Sequence, residues 1–84
     1  MSIHNAIRFL REIGGQVDLR CELYGIRGRE ALFSRIAREG YSFTGGEFEE
    51  AVDHLHVSCR TAEEADFLMD KAIWFRMVSA NAEP

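Results

Sequence analysis

Side chains able to do chemistry are few in this chain, and the nearest to a constellation is His54-x-His56-x-x-Cys59. Imidazole and thiolate bind zinc or iron, but residues two apart on a helix point about 200° away from each other. No fourth ligand stands at a recognisable spacing, so neither a metal nor any other cofactor is expected. The carboxylate pairs Glu49-Glu50 and Glu63-Glu64 read as exposed first-turn residues held by the positive end of a helix, not as a general acid and base. There is no P-loop, no dinucleotide fingerprint and no Cys-x-x-Cys. Cys21 and Cys59 read as reduced, buried thiols. Composition and spacing therefore offer no catalytic site, and a non-enzymatic protein is expected.

The elements that would position these residues are better specified. Residues 36–51 read as one helix stopping and the next starting. Gly40 can take the left-handed conformation that ends a helix, and Tyr41 can fold back on Ile36 as the apolar contact of a Schellman-type cap. Thr44 and Glu47 have capping-box spacing, and Phe43 and Phe48 have the spacing of a hydrophobic staple that fixes the angle of re-entry.

That corner, Ile36-Ala37-x-x-Gly40-Tyr41-x-Phe43-Thr44-x-x-Glu47-Phe48-x-x-Ala51, follows Ser2-Ile3-x-x-Ala6-Ile7-x-Phe9-Leu10 and Asp18-Leu19-x-x-x-Leu23. Together these resemble a small bacterial domain family found beside nitrogen-fixation genes and as leader peptides of ribosomally made natural products. The resemblance covers about residues 1–56. It implies a bundle of short helices without enzymatic activity, acting either as a free-standing accessory protein or as a leader gripped by a peptide-modifying enzyme. Leaders of this family end in a small-residue cleavage site followed by a core rich in Cys, Ser or Thr. The residues from Met77 to Pro84 show neither, and cleavage at Gly45-Gly46 would destroy a helix, so the free-standing type is expected.

At 84 residues the chain suits one domain over residues 1–80 with a frayed tail at 81–84. Burying ~60–65% of its unfolded surface, it has material for one modest core and no cavity of enzymatic size. No apolar run approaches the ~18 residues that cross a bilayer, and no signal-peptide pattern opens the chain, so a cytoplasmic location and no membrane partner are expected. Net charge is -4, but it is divided: seven arginines against four acids up to Arg38 (+3), then three cations against ten acids (-7). The halves could attract each other within the fold or between subunits, or simply be two solvated faces. Nucleic acid is an unsuitable partner, because the helix after the corner carries Glu47, Glu49, Glu50 and Asp53.

Ser2 can cap a first helix with an Ile3, Ala6, Ile7, Leu10, Ile13 stripe that Gly14-Gly15 ends. Residues 16–23 are ambiguous: Val17, Leu19, Cys21 and Leu23 alternate with polar residues as in a half-buried strand, whereas the resemblance implies a short helix capped by Asp18. Leu55, Val57 and Cys59 alternate likewise, so the expected all-α bundle of four to five short helices has as its alternative a small two-stranded pairing of 17–23 with 55–59. A helix over 29–39 should bury Ala31, Leu32 and Ile36 with Phe33 beside them, and Gly45 to about Val57 should form the next. Thr61-x-x-Glu64 should start a last helix running to about Ser79. Its apolar residues go almost all the way round. Either Leu68, Ala72, Phe75 and Ser79 face the bundle and the rest are scattered over the surface, or a second face is an interface. The interface is expected at Trp74, Phe75, Met77 and Val78, joining a second copy in a homodimer or a distinct protein partner.

Overall fold

Local signals divide the chain into helices wherever an apolar stripe of helical period meets a cap. The computed structural model describes residues 2–81 and contains α1 (Ile3–Glu12), α2 (Val17–Tyr24), α3 (Arg29–Arg38), α4 (Gly45–Ser58) and α5 (Ala62–Asn81), with a 3-10 turn at Ile13–Gly15. This is an all-α bundle of five helices. No strand occurs among the described residues, which corrects the alternative pairing of 17–23 with 55–59. Asn81 closes α5 instead of opening the expected frayed tail; the rest of that tail, 82–84, lies outside the described residues.

The strand-like alternation in 17–23 resolves into two helical stripes. Leu19 and Leu23, four apart, are buried, while Val17, Cys21 and Tyr24 lie on the exposed side. Cys21 is thus exposed and not buried as expected. Nor is Asp18 the cap. Gln16 holds that position without a side-chain bond, and Asp18 sits inside the first turn, where an acid favours the dipole.

α1 begins with the Ser2 hydroxyl accepting from the Asn5 N–H at 3.2 Å. It is tied to the corner by the Ser2 N–H and the Asn5 amide, both donating to the Ser42 carbonyl. The corner itself has Gly40 at φ +99, with the Gly40 N–H donating to Ala37 O and the Tyr41 N–H to Ile36 O, the two bonds of a Schellman motif. Thr44 and Glu47 form a reciprocal capping box, and the Phe43 and Phe48 rings stack 6.2 Å apart. Glu64 at the start of α5 donates its N–H to the Thr61 hydroxyl, and its carboxylate accepts from the Arg60 N–H.

These devices converge on one core centred on Phe75 of α5, whose ring lies 4.7 Å from Phe48, 5.1 Å from Phe9 and 5.9 Å from Phe33. α5 runs antiparallel to α4. Phe75 and Arg76 meet Phe48 and Glu49 at one end, and Phe67 and Leu55 line one groove at the other. Ala31 is exposed, so α3 packs through Leu32 and Ile36 with Phe33 half-buried.

Candidate functional site

α5 spends one stripe of side chains on the core: Leu68, Ala72, Phe75, Val78 and Ser79 are all buried. Two of the residues expected at an interface are therefore corrected. Phe75 and Val78 are each 2% exposed and line the inside of the bundle, out of a partner's reach. Trp74 is half-buried at the edge of the core, and Met77 is 53% exposed.

What remains outside is nonetheless a substantial apolar strip. Phe67 is 65% exposed and Ile73 52%, and Met77 lies one turn beyond Ile73 on the helix. α2 extends the strip through Tyr24, itself 58% exposed. The Trp74 indole N–H donates to the Tyr24 hydroxyl at 2.7 Å, with the rings edge to face, so the two helices present their aromatics as one surface. Asp66 and Asp70 are exposed on the same helix, and the Lys71 ammonium sits 4.3 Å from the Phe67 ring centroid. Partial burial lowers the Lys71 pKa by penalising its charged form.

Charge elsewhere holds the scaffold. Arg76 makes a paired contact with Glu49, whose carboxyl is lowered chiefly by that bond, and Arg35 binds Glu22 and Glu39. Among these contacts and the Arg8–Glu12 pair, only Arg35–Glu39 crosses between the basic and acidic halves, and those two residues are one helical turn apart. Glu49 is therefore an ion-pair partner in the second turn of α4, not a first-turn acid as expected. Tyr41, in the core beneath Arg8, donates to Glu12 and accepts from Gln16; burial, then Glu12, pushes its pKa up.

The residues that could do chemistry do not assemble. His54 and His56 are exposed, the Cys59 thiol donates to the Leu55 carbonyl, and no group of three or more His, Cys, Asp or Glu gathers among the described residues. Glu50 and Asp53 lie exposed on α4, an acidic face toward solvent. No helix of the described residues is long and apolar enough to cross a membrane.

An open groove of about 520 Å³ lies at the junction of α1, α4 and α5. Comparison of the chain with protein families, with curated proteins and with solved structures finds no match in any of the three. Tyr24 and the groove were missed in the sequence. Tyr24 completes the spacing i, i+4, i+7 with Val17 and Cys21, a second apolar stripe opposite Leu19 and Leu23, and that period was its available signal.

Proposed function

We propose that this chain is a small non-enzymatic accessory or adaptor protein that acts by contact with another protein through the α2/α5 strip. One observation carries the reading: after α5 has filled the core, Phe67, Ile73 and Met77 remain more than half exposed, as does Tyr24, which is bonded to Trp74 of the same helix. At ~200 Å² for a large side chain, four half-exposed residues supply about 400 Å² of apolar surface, half of the ~800 Å² that each side of a standard interface buries. Aromatic and Met side chains are the types enriched at interface centres. A biological setting among nitrogen-fixation accessory proteins, in a bacterial cytoplasm, rests on the residue pattern of residues 1–56 alone.

The test is a double variant, Ile73→Glu with Met77→Glu, which changes only exposed positions. Light scattering over a concentration series reads self-association, and affinity capture from the native host reads a distinct partner. The reading expects a parent complex of either kind that the variant loses while its far-UV circular dichroism stays unchanged. A parent that is monomeric and captures nothing specific, or a variant that retains every contact, refutes it.

A further inference from the structure

The open groove at the junction of α1, α4 and α5 begins where α1 stops. α1 ends at Glu12 and the chain turns away through Ile13–Gly15, leaving Leu10 and Arg11 as its only contribution to the groove. Beyond them the seam between the last turns of α4 and the first turns of α5 has no third helix over it among the described residues. Leu55 and Leu68 line that seam, and the exposed Phe67 ring forms its lip. The apolar track matches the side of an amphipathic helix, the recognition mode in which i, i+3, i+4 and i+7 side chains enter a groove.

Charge is sorted along this track. Glu63 and Glu64 stand at the end where α5 begins, and Lys71 stands two turns further, ~12 Å away at 1.5 Å per residue. Arg11 belongs to the Lys71 end, because Gly14, three residues beyond it, lies under the Lys71 stem, where an added Cβ would be 3.8 Å from the Lys71 Cδ. Neither Arg11 nor Lys71 has an ion-pair partner among the described residues. The groove is thus acidic at one end and basic at the other.

We propose that this groove receives an amphipathic helical segment of a partner protein, acidic in its first turn and basic in its last, lying antiparallel to α5. Acids first and bases last is the order a helix's own macrodipole favours. Laid antiparallel, such a segment sets its acidic turn on Arg11 and Lys71 and its basic turn on Glu63 and Glu64; laid parallel, it brings like charges together. A track of two to three turns engages a peptide too short to be stably helical alone, so it folds as it binds. The proposal deepens the protein-contact reading but uses a surface that meets the α2/α5 strip only at Phe67.

The probe is a labelled synthetic peptide of about fourteen residues with Glu in its first turn, Leu at i, i+3, i+4 and i+7, and Lys in its last. Its twin carries the same Leu pattern with the charges exchanged. Fluorescence anisotropy at low salt measures affinity, and amide chemical shifts locate the site. The first peptide binds roughly fivefold more tightly than its twin, because the twin either meets like charges or, laid parallel, carries both of its charged turns against its own helix dipole. Its shifts centre on Leu55, Cys59 and Phe67, and Arg11→Glu with Lys71→Glu weakens its binding about fivefold while the helical signal is retained. Equal affinity for the twins, or shifts away from the groove, overturns the proposal. Ile73→Glu with Met77→Glu leaves peptide binding unchanged, so loss of the groove result with contacts through Ile73 and Met77 intact overturns the groove alone, and the reverse pattern overturns the strip alone.

Discussion

Phe75→Ala removes the ring about which the core is assembled. Phe75 is 2% exposed and has the Phe9, Phe33, Phe43 and Phe48 rings around it, so truncation forfeits both the burial of a benzyl group and the packing of four neighbours. The cost of such a deletion is ~3–5 kcal/mol. An 84-residue domain has about 4–12 kcal/mol in total, from ~0.05–0.15 per residue, so this single change takes away much of it. At ~4–8 °C per kcal/mol the melting temperature falls by ~12–40 °C, or the variant is unfolded at room temperature. Phe75→Leu, which keeps most of the volume, costs roughly 1–2 kcal/mol and gives a measurable intermediate. Met77→Ala, at a position 53% exposed, stays within ~0.5 kcal/mol of the parent. Circular dichroism at 222 nm during thermal and urea melts reads all three. If Phe75→Ala melts within ~3 °C of the parent, or Met77→Ala is as damaging as Phe75→Ala, then α5 docks through a different face and the assignment of its inside and outside is wrong.

At the corner, Thr44→Ala removes one half of the capping box and costs about 1 kcal/mol in the same melts. A Cβ added at Gly40 meets no atom within 4 Å, so the cost of Gly40→Val is at least that of the positive φ, ~1–2 kcal/mol, and a parent-like melt would contradict the left-handed cap. Because the Tyr41 pKa is raised above its ordinary 10.0 in the fold, the stability it contributes is complete below that value and is lost as pH rises through the folded pKa. The melting temperature therefore declines more steeply above pH 10 in the parent than in Tyr41→Phe. Glu49 is the opposite case: its pKa is lowered by Arg76, so its contribution is present above the ordinary carboxylate value and lost on acidification, and Glu49→Gln flattens the loss of stability below pH 4.5. With Glu49 and Arg76 largely solvent-exposed that difference is small.

The helices were legible where caps and stripes agree. Gly40, Thr44 and Glu47 specify the corner locally, with partners within a few residues, and the structure uses each of them there. The inside of α5 was legible as one of two alternatives, whose Leu68, Ala72, Phe75 and Ser79 are all buried, but an apolar set of almost every phase left the choice between them, and the place of Val78, to the docking angle on the bundle. Val78 is turned inward by α5 resting on Phe9, Phe33 and Phe48, contacts 27 to 66 residues away from Phe75 in sequence. Val17, Leu19, Cys21 and Leu23 looked like a strand because helical stripes four apart, on opposite sides, produce alternation over a short run. The groove lay beyond any local signal, since it exists only where α1 falls short of the α4–α5 seam.

Protein contact through the α2/α5 strip is tested most directly by placing a photo-crosslinking amino acid at Ile73 or Met77 and, as a control, at the exposed Asp53 of α4, in living cells of the native host. Discrete adducts of defined mass at Ile73 and Met77, containing either a second copy or a recurrent protein and missing at Asp53, are the predicted result. The absence of a discrete adduct at either position, or the same adducts at Asp53, would contradict it.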